Sequence, residues 1–383
     1  MCKACPKTIV TNPTPRTVWL VGPTHPYTGG IAQHTTRLAA ELEARGVVVG
    51  VESWKSQYPS FLYKGTARVP RGEPEMGEPS TVVEALAWYS PASWFLAGRR
   101  LAGADRIVVS VPTAFHALPY TVMAWGVGGS RKMWAIVHNV LPHDSGRLSK
   151  KIMGWFLRRL GRIIVHSDQQ HSLARQLGVD NERITVRRLP SPWPDEPVGS
   201  VAPHTPEGHA RALFFGTIRP YKGLDLLVEA LSHTPDVSLT IAGEFWEDRE
   251  RYDDMITRWG VSDRVTIRPG YVAASEMAEL FAGADCLILP YRSGTGSIVR
   301  DVGFRFGVPV IATNVGSIAD GITHDTNGWV VETPSVDGLV DALNTLQDPA
   351  TRHRWRAGVT AAGKTNQERW GQYVDAIIHD YPG

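Results

Sequence analysis

The sequence predicts an α/β protein of two doubly wound, Rossmann-like domains facing a central cleft. Three observations predict it. At 383 residues the chain exceeds the roughly 250–300 residues at which one hydrophobic core stops growing, so two domains are expected. Short continuous Val/Ile/Leu runs alternate with helix-length amphipathic stretches, the pattern of parallel strands covered by helices on both faces. Between Pro190 and Pro206 that rhythm stops, with six prolines in 17 residues, and then resumes; the interruption has the composition of a linker.

Each element follows in order. Residues 1–15 carry three prolines and no apolar signal-peptide core, so they read as a disordered leader. The first domain, 16–190, sets V-W-L-V before a helical stretch at 31–45, then V-V-V-G-V, I-V-V-S-V, W-A-I-V, R-I-I-V and I-T-V-R. The uncharged run at 107–130 is long enough to cross a bilayer but contains Pro112 and Pro119; a buried strand, a turn and a helix account for the same letters. After the linker at 191–207, the second domain, 208–365, repeats the alternation with A-L-F-F, a helix at 224–231, L-T-I-A, V-T-I, C-L-I-L, V-I-A-T and G-W-V-V. The last segment, 366–383, places Trp370, Tyr373, Val374, Ile377 and Ile378 on one helical face, positioned to cross back to the first domain.

Composition excludes other classes. With 43% hydrophobic residues and a net charge of +2, the chain is neither disordered nor a nucleic-acid binder relying on overall positive charge. Three cysteines occur, and the C-x-x-C of Cys2 and Cys5 has no second pair to complete a zinc set. A reduced, cytoplasmic protein without a resident metal is expected.

In open α/β sheets ligands lie beyond the carboxyl ends of the strands, so the loops there are the place to seek chemistry. Gly29 and Gly30, between an early strand and a helix, let backbone N–H groups approach an anion or a sugar hydroxyl; a plain tight turn would look the same. In F-F-G-T-I-R-P-Y-K-G, Arg219 and Lys222 can clamp a diphosphate, Arg219 as a fork and Lys222 as a point charge, while Gly216 allows close approach. The small residues Gly294, Thr295, Gly296 and Ser297 precede another helix and form an anion-binding concavity. His138 and Asn139 follow W-A-I-V at a strand's carboxyl end, which sets His138 at the cleft, although a lone histidine is often structural.

Together these motifs are recognisable. G-G-I-A, V-H-N, G-T-I-R-P-Y-K-G, I-A-G-E, P-G-Y-V-A-A-S-E-M-A-E-L-F-A-G-A-D and P-Y-R-S with G-V-P-V-I-A-T resemble the retaining glycosyltransferases of GT-B fold, family 4-like, which include bacterial polysaccharide and glycolipid enzymes. The resemblance covers nearly the whole chain in the same motif order. It implies metal-independent transfer of a sugar from a nucleoside-diphosphate-sugar to an acceptor hydroxyl, in surface polysaccharide, glycolipid or natural-product synthesis, with no cofactor besides that donor. By the same resemblance Arg219 and Lys222 hold the diphosphate, and His138 lies near the donor sugar. Gly29 and Gly30 border donor and acceptor, and the backbone at Tyr271 and Val272 meets the nucleobase. The acidic spacings Glu73/Glu75 and Asp248/Glu250 flank no candidate site.

One departure stands out. The family commonly carries two glutamates separated by seven residues in this last loop and helix, and those positions fall here on Gly294 and Val302, with Asp301 one residue out of register. A branch of the family has P-Y-R-x-x-T-x-S instead, as at 290–297. Two rival classes stand beside this reading: a nucleotide-sugar epimerase on the same architecture, which would need acid/base carboxylates and against which the missing glutamates argue, and an inactive sugar-binding protein, which their loss supports.

On the acceptor side, residues 147–188 hold ten Lys/Arg against three Asp/Glu. Within them, K-K-I-M-G-W-F-L-R-R-L-G-R interleaves aromatic and basic residues as in a helix lying on an anionic membrane surface. The stretch 88–96, W-Y-S-P-A-S-W-F-L, adds aromatics that read as exposed. A helix with one core face and one solvated cationic face has the same composition. If the membrane reading holds, the acceptor is lipid-linked and the enzyme works at the inner face of the membrane.

Overall fold

The structure, a computed structural model, describes residues 15–59, 68–69, 79–141, 146–192, 208–294, 296–362 and 366–379. Residues 1–14 of the leader with Cys2 and Cys5, Glu73 and Glu75, linker residues 193–207 and Thr295 lie outside the described residues.

Seven parallel strands form the first sheet: β1 (Thr17–Val21), β2 (Val48–Ser56), β3 (Val82–Ala87), β4 (Arg106–Val111), β5 (Met133–Val137), β6 (Arg162–Val165) and β7 (Ile184–Val186). Their spatial order is β3-β2-β1-β4-β5-β6-β7. The order reverses between β1 and β4, which leaves a crevice at their carboxyl ends. Strand β3 carries Glu84 in its middle and so lacks the continuous apolar run that identifies its neighbours; only its pairing with β2 reveals it.

Strand side chains alternate between two helical layers, as the two-residue period requires. Val18, Leu20 and Val108 pack under α1 (Gly30–Glu43) and α12 (Asn366–Ile378), whose Trp370, Tyr373, Val374, Ile377 and Ile378 share one core with them. The C-terminal helix therefore sits on the first domain. Arg106 ties it there, its guanidinium donating to the Ile377 carbonyl. On the other face, Val21, Ile107 and Val109 pack under α2 (Pro91–Leu101), α3 (Ala117–Val127), α4 (Arg147–Leu157) and α5 (Asp168–Gln176). The uncharged 107–130 run is thus β4, a turn and α3, and no described helix is long and apolar enough to cross a membrane.

The second sheet has the order β10-β9-β8-β11-β12-β13, again all parallel. Its strands are β8 (Ala210–Phe215), β9 (Val237–Gly243), β10 (Val265–Pro269), β11 (Cys286–Leu289), β12 (Val310–Thr313) and β13 (Gly328–Val331). Helices α6 (Leu224–Ser232), α7 (Glu250–Arg258), α10 (Val336–Leu346) and α11 (Pro349–Ala362) cover one face, and α8 (Ala274–Ala282) and α9 (Ile298–Arg305) the other. Here the order reverses between β8 and β11, the two strands whose exit loops carry R-P-Y-K-G and Y-R-S-G-T-G-S.

Candidate functional site

Loops from both sheets line one cleft of about 390 Å³. Its second-domain wall starts beyond β8. Arg219 is extended, as a residue before proline must be, and Pro220–Lys222 makes a single 3-10 turn. Gly223 then adopts φ +69°, where a Cβ would collide with the Pro290 carbonyl, and α6 begins. Bracketed by Pro220 and Gly223, the turn points Lys222 inward. Its side chain is 7% exposed and lines the cleft, with the ammonium 5.4 Å from the centre of the Tyr291 ring. Gly216 lies beside it: a Cβ there would stand 3.5 Å from Nζ. Burial lowers the Lys222 pKa to about 8; the charge of Arg219 pushes the same way and Tyr221 opposes it. Among the described residues no carboxylate contributes to that balance, and the charged neighbour that does is a second cation, Arg219. Arg219 itself stacks over Trp246, guanidinium to ring centre 4.0 Å, and is not part of the cleft lining.

The loop after β11 completes this wall. Arg292 makes a forked ion pair with Asp225 at the start of α6, one arm at 2.8 Å, and the Tyr291 carbonyl accepts from Thr313 Oγ1 at 2.6 Å. Thus anchored, the loop delivers Gly296 and Ser297 to the cleft, and Ser297 caps α9 by accepting from the Val299 N–H at 3.3 Å. The N-terminus of α9, with its positive dipole end, opens on the same space as Lys222. Gly294 is packed against Ile318 behind the lining.

Opposite stand Gly30 and Ile31 in the first turn of α1, and His138 beyond β5. Gly29, with φ +96°, precedes them just outside the lining. His138 is held at three points: its N–H donates to the Val111 carbonyl, its carbonyl accepts from Gln170 Nε2 at 3.1 Å, and Nε2 lies 3.0 Å from Ser110 Oγ. Burial, and then His166, His34 and His116, drives its pKa well below the usual histidine value, so the ring is neutral at physiological pH. His166 donates from Nδ1 to the Arg187 carbonyl at 3.1 Å, its ring centre 5.3 Å from that of His138. His34 on α1 stacks on Trp370 of α12.

Of the residues singled out in the sequence, Gly30, His138, Asn139, Lys222, Gly296 and Ser297 meet at the cleft, whereas Gly29, Gly216, Arg219 and Gly294 are not in its lining. Tyr271 and Val272 lie between β10 and α8, away from the lining, and Val272 packs on the apolar core there. Where the family glutamates are missing, Val302 is buried in that core, whereas Asp301 does reach the cleft. Its carboxylate is engaged by Arg300 at 3.0 Å and lies 3.9 Å from Arg369 of α12.

Sequence reasoning missed His166, Gln170, Arg188 and Arg369. His166 carried the same signal as His138, a histidine just past a strand's carboxyl end. Arg369 had none, because only the return of α12 brings it to the cleft. The stretch 88–96 needs correction: Tyr89 and Phe95 are exposed, but Trp94 is buried and donates Nε1–H to the Ala87 carbonyl at 2.7 Å, filling the core beneath α2.

The comparisons with known proteins agree with this geometry. Residues 29–190 match the glycosyl transferase 4-like domain and residues 200–360 match glycosyl transferases group 1. Among curated proteins, the D-inositol 3-phosphate glycosyltransferase of Pseudarthrobacter chlorophenolicus is 31% identical over 182 residues, which are 45% of this chain and 43% of that protein. That of an Arthrobacter species is 34% identical over 156 residues, 38% and 37% of the two chains. The chain thus spans less than half the length of the curated relatives it matches. Among solved structures, Anabaena HepE in complex with UDP and glucose aligns with a TM-score of 0.75 at 15% identity over 94% of this chain and 99% of that one. WaaG, a glycosyltransferase involved in lipopolysaccharide biosynthesis, aligns with a TM-score of 0.68 at 18% identity over the same shares. With one domain model on each doubly wound sheet and a cleft between them built from the loops at both switch points, the chain belongs to the glycosyltransferases of GT-B fold.

Proposed function

We propose that the protein transfers a sugar from a nucleoside-diphosphate-sugar to an acceptor hydroxyl, with retention of anomeric configuration and without a metal. The observation that carries this reading is the buried, carboxylate-free Lys222 beside the N-terminus of α9, facing His138 and Gly30 across the cleft. A leaving diphosphate develops negative charge as the glycosidic bond breaks, and a preorganised cation with backbone N–H groups is the environment that stabilises it. Neutral His138, fixed by Ser110 and Gln170, is suited to hydrogen-bond a donor-sugar hydroxyl or hold the reacting face. The acceptor hydroxyl attacks the face from which the diphosphate departs, its proton passing to a departing phosphate oxygen, so no side-chain nucleophile is required.

Lys222→Ala should reduce turnover on the order of a hundredfold or more, as for loss of one charge-stabilising donor. Near-normal activity in that variant would sink the assignment. Magnetic resonance of the product's anomeric proton tests retention, and incubation with donor alone separates transfer from epimerisation, since an epimerase alters the sugar without an acceptor. The acceptor is proposed to be a sugar or lipid-linked sugar met in the cytoplasm or at the inner membrane face. A phosphorylated polyol is a second reading, favoured by the names of the curated relatives and by Arg188 and Arg369 in the cleft lining; a product carrying both the new sugar and a phosphate would establish it.

A further inference from the structure

We propose that α2, α3 and α4 together form a docking platform for an anionic lipid bilayer. Helix α3, ALPYTVMAWGV, has no charged residue. A helix apolar on every side belongs inside a core, yet Leu118 is 64% and Trp125 69% exposed, with half-buried Val122 between them at i, i+4, i+7 spacing. Helix α4 repeats the spacing. Its Leu148, Ile152 and Trp155 face outward, while Met153, Phe156 and Leu157 face the core. The two helices are neighbours, Tyr120 of α3 lying 6.4 Å from Phe156 of α4, ring centre to ring centre.

Helix α2 joins them through a glycine crossing. A Cβ on Gly98 would collide with the Met123 carbonyl, and one on Gly126 with the Phe95 carbonyl. That approach brings the two backbones together, with Phe95 and Leu96 exposed on α2 and Trp125 exposed on α3. Of the eleven large apolar side chains exposed among the described residues, eight lie on these helices or in the turn entering α3, so the pattern is a patch rather than scatter.

The charge around the patch selects the occupant. None of the three helices contains an acidic residue, and Arg99, Arg131, Lys132, Lys150, Lys151 and Arg159 are exposed around them. Arg100 is excluded from this set because Glu52 engages it. Arg159 holds its guanidinium 4.1 Å above the Trp155 ring, a cation–aromatic pair suited to a headgroup boundary. Two copies of so uniformly cationic a face repel each other. An anionic bilayer satisfies both parts of the surface: acyl chains cover the apolar stripes and headgroups neutralise the rim. Because α3 and α4 follow the carboxyl ends of β4 and β5, Leu118 and Leu148 in their first turns mark the cleft-side end of the platform. Delivery of a lipid-borne acceptor to the cleft rests on the glycosyl-transfer reading; the docking does not.

The test is sedimentation of the full chain with vesicles of phosphatidylcholine alone and of phosphatidylcholine mixed with phosphatidylglycerol. Binding to the mixed vesicles is expected, at least tenfold tighter than to neutral ones and weakening as salt rises. Lys150→Glu with Lys151→Glu should lower partitioning at least tenfold, since each juxtamembrane cation is worth about fivefold and two are removed. Leu118→Ser with Trp125→Ser should do likewise while leaving thermal unfolding unchanged, both side chains being in solvent. Equal binding to neutral vesicles, binding to neither, or a dimer in light scattering that the serine variant dissolves would overturn the platform. A nucleoside-diphosphate thermal shift on the same sample keeps the two proposals apart: a shift without vesicle binding removes only the platform, and vesicle binding without a shift removes only the transferase reading.

Discussion

Lys222 illustrates how much a single residue costs and does. Its pKa in the folded protein, about 8, lies below the ordinary lysine value of 10.5, so between those values the unfolded chain binds more protons and stability rises with pH. Below pH 8 both states are protonated, and the burden of the buried charge is fully present, on the order of 3 kcal/mol for a shift of this size. Lys222→Met should therefore stabilise the ligand-free protein by up to about that amount, seen as a melting point several degrees higher. It should also abolish the thermal shift by nucleoside diphosphates. In the wild type, nucleoside-diphosphate affinity should fall as pH rises through about 8, because deprotonation removes the cation; calorimetric titration across that range, with the methionine variant as a flat control, checks it. This residue was legible in sequence as a cation in a strand-exit loop. Its burial was not, because it depends on Tyr291 and Pro290, which lie some seventy residues away in the chain.

At the scale of elements, α12 is the clearest case. Its apolar face was readable from spacing, but not what that face covers. Trp370 is buried, stacks on His34 with ring centres 5.3 Å apart, and donates Nε1–H to the Ser191 carbonyl at 2.7 Å. Asn366 at the start of the helix exchanges hydrogen bonds with the Ser191 backbone, at 2.9 and 3.3 Å. The segment leaving the first domain and the helix returning to it are thus tied at one point. Trp370→Ala should cost about 3–5 kcal/mol, as for large core truncations, measured by denaturant unfolding. The loss should fall on the first domain, followed through its own Trp134 and Trp54. Strand β3 shows the opposite limit: with Glu84 at its centre it carried too weak an apolar signal to be found, and pairing with β2 made it a strand.

For the whole molecule, the prediction concerns closure around a ligand. Both walls of the cleft supply groups, Lys222 and Ser297 from one domain and His138 and Gly30 from the other. A bound nucleoside diphosphate should raise the melting point of the whole chain, by the equivalent of about 2.7 kcal/mol at a hundredfold excess over Kd. Differential scanning calorimetry with a series of nucleoside diphosphates would show which base is preferred; no shift with any of them would count against the donor site.

The sequence alone determined the two-domain α/β architecture, since apolar strands alternating with amphipathic helices bury their side chains in few other ways. It also pointed to strand-exit loops that line the cleft, because glycine, proline and basic residues cluster at those exits. Only the tertiary structure decided which of those loops meet, that Asp301 is engaged by arginines, that Arg369 reaches the cleft, and that α3 and α4, neighbours through Tyr120 and Phe156, each leave large apolar side chains exposed. The reason is physical: hydrophobic periodicity is a property of neighbours along the chain, whereas burial, ion pairing and surface continuity depend on residues that packing brings together from distant segments.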